Sequence, residues 1–182
     1  MLEQRDNIQL AEGLIMTEAN ALQPPASIQK YLYDKDFVAW ADEQALLLEQ
    51  KRWHELDLVN LIEEVQDLGN RYRDALESQL TRLLMHLLKW QYQSAKRTGS
   101  WTGTTREARK QIARLIHKHP VLAVHTEKAF LECYLNARED AADETGLSID
   151  TFPLDCPYTL EQVLERDFLP EAAGGDGEQV QQ

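Results

Sequence analysis

The sequence predicts an all-α fold: a helical bundle around one long helix, possible kink included, closed by an irregular C-terminal clamp. Three observations carry this. Apolar residues recur at steps of three, four or seven along most of the chain. Between Pro25 and Pro153 the only proline is Pro120. No stretch alternates at period two over strand length, and no Asn-Gly or Asp-Gly turn joins two strand-like runs.

The first helix is expected near 35–51, with Phe37, Trp40, Ala41, Leu47 and Leu48 on one side. Asp34 can cap it, and Asp36 suits its first turn. The second series is Leu58, Leu61, Ile62, Val65, Leu68, Tyr72, Leu76, Leu80, Leu83, Leu87 and Trp90. Its constant phase predicts one helix over 57–93, while Gly69-Asn70 offers a place to bend or break. A loop, SAKRTGSWTGT, follows. Thr104 and Glu107 then read as a capping box opening a helix to about 118. Pro120 suits the first turn of a helix over 120–145, with Gly146 as its C-terminal cap. Beyond it, one short helix capped by Thr159 and Gln162 interrupts an extended segment. Trp40, Leu61, Val65, Leu83 and Leu87 are the expected core.

The chain of 182 residues favours a single folded domain, placed at 31–170. An N-terminal arm, 1–30, is expected to be partly disordered, and the glycine-rich tail 171–182 disordered. Hydrophobic residues make up 43% and charged residues 27%, which excludes a wholly disordered or fibrous chain. The N-terminus lacks the apolar core of a signal peptide, and no run is long enough to span a membrane. Two cysteines, Cys133 and Cys156, cannot build a disulfide framework, so a reducing cytoplasm is the expected location.

Several strings also fall in a recognisable order: Tyr33-Asp34-Lys35-Asp36-Phe37 with Trp40; Leu56-Asp57, then Asn60-Leu61-Ile62-Glu63-Glu64-Val65 and Asp67-Leu68-Gly69; His86-Leu87-Leu88-Lys89-Trp90-Gln91-Tyr92; Ser100-Trp101; Glu144-Thr145-Gly146-Leu147; and Cys156-Pro157-Tyr158-Thr159-Leu160-Glu161-Gln162. Over about 33–171 the chain resembles a bacterial, mostly cyanobacterial, family known as domain of unknown function twenty-nine. The resemblance implies a small, soluble, all-helical, cytoplasmic protein. It implies no mechanism, and the arm and tail inherit nothing from it.

Charge is laid out unevenly. Residues 81–119 hold nine Lys/Arg and one acid, inside a chain of net charge -12. Such a segment can pair with acidic helices of its own chain, which would place Arg97, Arg106 and Arg109 near carboxylates such as Glu63, Glu64 or Asp67. Alternatively, Lys89, Trp90, Arg97, Trp101, Arg106 and Arg109 could form an anion-binding or nucleic-acid-binding face within 82–118, since aromatics interleaved with cations suit a single strand. The acidic whole argues against a polyanion as partner.

Asn60, Glu63, Glu64 and His86 make a candidate polar cluster, with His86 as the base of a hydrolase or nuclease. No Glu-x-x-His or His-Glu-x-x-His spacing supports a metal there. His117, His119 and His125 surround Pro120, yet neither cysteine completes a zinc spacing. No phosphate loop, dinucleotide fingerprint or nucleophile elbow is present, and no cofactor or metal is expected. The leading expectation is therefore a non-catalytic protein-interaction module, binding another protein or itself. A nucleic-acid-binding regulator is the alternative, and an enzyme the third reading.

Overall fold

A computed structural model of the chain describes residues 32–173. Its elements are α1 (Phe37–Glu49), α2 (Leu58–Tyr92), α3 (Gly99–Lys118), α4 (Leu122–Thr145) and a short α5 (Leu160–Leu164), with 3-10 turns at Trp53–Glu55, Ser94–Lys96 and Ile149–Thr151. Among the described residues there is no strand. The expected all-α class holds. The arm 1–30 and residues 174–182 lie outside the described residues. Residues 171–173 lie within them, and the Ala173 N–H donates to the Gln91 carbonyl at 2.9 Å. The described residues fall into two compact units, 32–68 and 69–173, with α2 contributing to both.

In the first unit the side chain of Asp36, not Asp34, caps α1 by accepting from the Ala39 N–H. The helix ends in a Schellman turn. The Arg52 N–H donates to the Leu47 carbonyl and the Lys51 N–H to the Leu48 carbonyl, with Lys51 at φ 59° where glycine is usual. Asp57 opens α2 and ties the unit together. Its carboxylate accepts from the Asn60 N–H, the Asn60 amide and the Trp40 indole, and its own N–H donates to the Gln44 side chain. Trp40, Leu47, Gln44 and Asp57 are the buried residues of this unit. Tyr33, Phe37 and Trp40 form an aromatic cluster with centroids 4.9–5.9 Å apart.

α2 is unbroken across Gly69-Asn70. A mid-helix glycine costs only about 1 kcal/mol against alanine, which a 35-residue helix tolerates.

The second unit has a closed core. Leu76, Leu80, Leu83, Leu84, Leu87 and Leu88 of α2 cluster with Ala108 and Ile112 of α3 and with the small face of α4, namely Ala129, Cys133, Ala137 and Ala141. Small residues on α4 let it lie close to its neighbours. α3 starts at Gly99, five residues before the expected capping box, and Thr104 lies inside it. Thr104 does not cap: Thr102, Thr104 and Thr105 donate to the carbonyls of Gly99, Ser100 and Thr102 within the helix. Gly146, at φ 70°, ends α4 as expected. The expected capping box of Thr159 and Gln162 is also present.

The C-terminal segment is strapped down by side chains that grip its backbone. Tyr134 O–H donates to the Pro153 carbonyl and Arg138 Nε to the Phe152 carbonyl. Arg109 donates to the carbonyls of Val163, Arg166 and Phe168. Phe152, Tyr158 and Val163 reach into the core.

The expected core needs one correction. Trp40, Leu83 and Leu87 are buried, but Leu61 is half-buried and Val65 is exposed.

Candidate functional site

The unusual surface of this molecule is in the first unit. α2 begins with Leu58, Leu61, Val65 and Leu68 at alternating steps of three and four, the spacing of a helix-pairing seam, with Ile62 beside them. In the structure Leu58 is 54% exposed, Ile62 55%, Val65 61% and Leu68 57%. Phe37, Val38, Leu46 and Leu48 of α1, Trp53 of the connecting turn and Val59 are exposed as well. Ten exposed large apolar side chains thus fall within 37–68, against seven in 69–173. α1 is 13 residues, about 20 Å, and buries only Trp40, Gln44 and Leu47. It does not cover the seam.

That apolar surface is set in negative charge. Residues 32–68 contain ten carboxylates and three cations, net -7, whereas 69–173 contain fifteen and fourteen, net -1. Glu64 accepts from the Tyr33 hydroxyl at 2.7 Å, and this bond, with the surrounding carboxylates, pushes the Tyr33 pKa up to about 12. Apolar side chains rimmed by carboxylates can receive the apolar face of another helix whose flanks are cationic.

The sequence-predicted site residues fall into separate places. Asn60, Glu63 and Glu64 belong to the first unit, where Asn60 serves Asp57 and Glu64 serves Tyr33. His86 belongs to the second unit. Its ring lies 6.5 Å from that of Trp101, and its Nδ1 is buried without a hydrogen-bond partner. Burial, with the Lys89 cation adding to it, holds the His86 pKa down at about 4. The imidazole is therefore neutral near pH 7 and weakly basic.

The basic and aromatic residues separate into pairs. Lys89 is buried, ion-paired with Glu144, and its ammonium lies 4.8 Å from the centre of the Trp101 ring. Arg97 stacks over Trp90 at 4.7 Å and donates to the Trp90 carbonyl. Arg106 and Arg109 line a cleft beside the C-terminal segment. The expectation that Arg97, Arg106 and Arg109 sit near carboxylates is met at Arg109 by Asp167 and Glu165, in place of those named; among the described residues none of the three arginines forms an ion pair, and the hydrogen bonds of Arg97 and Arg109 go to backbone carbonyls. A guanidinium's planar fork of donors serves a carbonyl-rich chain as well as a carboxylate.

His125 pairs with Glu77, and the His119 ring stacks on Tyr72 at 4.2 Å. Among the described residues no three His, Cys, Asp or Glu side chains are grouped to hold a metal ion. Cys133 is buried and Cys156 partly so; both are free thiols, with burial raising their pKa. No helix of the described residues is long and apolar enough to cross a membrane.

Apolar phase places Leu61 and Val65 in the expected core, because phase alone cannot distinguish a covered stripe from an open one. A signal was available in the shortness of the first helix beside eleven in-phase apolar positions. For Arg166, which joins Arg106 and Arg109 in the cleft, spacing carried no signal, since the contact spans nearly sixty residues.

Comparison with known proteins adds one match. The sequence model of the family described as Domain of unknown function DUF29 matches residues 32–169. No curated protein and no solved structure matches the chain.

Proposed function

The chain belongs to the family described as Domain of unknown function DUF29, which assigns no activity, and we propose that it works as a non-catalytic interaction module. Its docking surface is the apolar, acid-rimmed face of residues 37–68. Its occupant is a cationic amphipathic helix of a partner protein. The observation that carries this reading is the open seam of Leu58, Ile62, Val65 and Leu68 in a unit of net charge -7. Large contiguous apolar surface marks a binding site more often than idle surface. A second copy of the chain fits less well, because it would bring two units of like charge together. The free thiols fit a reducing compartment, and cytoplasm is the location we propose. A nucleic-acid partner has less support, because Lys89, Arg97 and Arg109 are engaged within the protein.

The test uses a fluorescent amphipathic peptide with leucine on one face and lysine on the other. The chain should bind it saturably, and Ile62→Glu with Val65→Glu should abolish binding while thermal melting stays unchanged. Equal binding by the double variant would refute the assignment of the face. Concentration-dependent dimers in sedimentation, lost in the same variant, would give the face to a second copy instead.

A further inference from the structure

α3 presents Arg106, Arg109, Lys110 and Ala113 at steps of three, four and seven, so all four share one face. That face and the segment after α5 enclose a cleft of about 490 Å³, completed by Leu164, Arg166 and Asp167. A second cavity of about 120 Å³ shares Arg106, Arg109, Arg166 and Asp167 with it. Four cations and one carboxylate therefore line one concavity in an acidic protein.

Asp167 and Glu165 act on the Arg109 charge from beyond ion-pair distance, so the cations are offset but not paired. Arg109 is buried and held rigid by three carbonyls, which use three of its five N–H donors and leave its positive charge in place. Among the described residues no carboxylate lies within ion-pair distance of Arg106, Arg109 or Arg166. Lys110 reaches only Glu107, at 3.9 Å and in solvent. Arginine forks at the mouth of a partly desolvated cleft match the oxygens of a phosphoryl group.

We infer that this cleft binds the phosphate group of a small phosphomonoester. The volume falls in the range of small-molecule pockets, roughly 300–1,000 Å³, and far exceeds one phosphate ion. Ala113 and Leu164 give an apolar wall for the rest of the ligand, and Asp167 an acceptor for a hydroxyl or amino group. A polynucleotide is disfavoured because the other cations and aromatics of the basic segment, Lys89 with Trp101 and Arg97 with Trp90, are packed on one another and do not extend the cleft into a track.

Calorimetry on the full chain tests this with glycerol 3-phosphate, AMP, inorganic phosphate and an oligothymidylate. The two esters should bind more tightly than inorganic phosphate, which should compete with them. Arg106→Gln and Arg166→Gln should each weaken ester binding by about tenfold or more, with unaltered melting. Lys110→Gln supplies a third variant should either arginine change not fold. Absence of ester binding at millimolar concentration, or binding indifferent to all three variants, overturns the proposal. Inorganic phosphate binding as tightly as the esters overturns the ester part. An oligothymidylate bound more tightly than the esters, and lost in the same variants, overturns it in favour of a nucleic-acid interface.

Discussion

Two stretches of α2 follow the same apolar rule and meet opposite fates. Leu76, Leu80, Leu83, Leu84, Leu87 and Leu88 have no exposed surface, whereas Leu58, Ile62, Val65 and Leu68 are each more than half exposed. Helical phase decides which side of a helix is apolar. Whether that side is covered depends on what else the chain can bring to it. The later stretch is wrapped by helices of 20 and 24 residues and by a strap pinned at five carbonyls. The earlier one belongs to a unit whose only other long element among the described residues is 13 residues, and whose centre is a polar network around Asp57. The two units differ in charge in the same sense, one nearly neutral and one strongly acidic.

The sharpest way to break this contrast is a matched set of truncations. Leu83→Ala and Leu87→Ala should each cost about 2–5 kcal/mol in denaturant melts, the range for buried leucines. Val65→Ala and Ile62→Ala should cost well under about 1 kcal/mol, as exposed positions do. Equal losses at both places would show that the seam is covered in solution.

Next in size is Arg109→Gln, which removes charge-assisted bonds to the strap and leaves buried carbonyls bare. A loss of about 2–3 kcal/mol is expected, with faster hydrogen exchange over 163–169. Arg106→Gln should be near neutral. If the two variants melt alike, Arg109 is not the strap's anchor.

A pH effect follows from His86. Its folded pKa, near 4, lies below the ordinary 6.5, so between these values the unfolded chain binds more protons. Stability should therefore fall as pH drops from about 6.5 to about 4, with no contribution from this group to any change above that window. His86→Gln should flatten that part of the acid slope, as read by the difference in melting temperature between variant and parent at each pH. An identical slope in both would remove His86 as its source.

The smallest expected effect concerns the junction. Gly69→Ala should stabilise the chain by up to about 1 kcal/mol, because alanine is the better helix former there. The added Cβ would lie 3.3 Å from Nη1 of Arg73, the far end of a flexible side chain. Destabilisation instead would show that α2 must bend at Gly69 in solution.

Much of this architecture was legible because it is local. The phase of α2, the stop at Gly146 and the Thr159–Gln162 capping box are each set by residues a few positions apart. The start of α3 was not, because threonines that resemble caps also bond back to helix carbonyls. The candidate sites were less legible still. The six basic and aromatic residues are neighbours in sequence, but Lys89 found Glu144 and Arg109 found the 163–168 backbone, both more than fifty residues away. Long-range choices of that kind leave no period to read. The exposure of Val65 is illegible for the converse reason: its period matches that of the buried leucines and says nothing about cover.

The strap has a consequence for how such a sequence can drift. Arg109, Arg138 and Tyr134 hold it by main-chain oxygens at residues 152, 153, 163, 166 and 168. Every amino acid supplies that oxygen. Selection on these bonds falls on three donor side chains and leaves the identity of the five acceptor positions to other constraints, chiefly the packing of Phe152, Val163 and Phe168. A substitution at Arg166 can thus change the charge lining the cleft without removing the bond to its main-chain oxygen, so the cleft can vary in character while the scaffold stays the same.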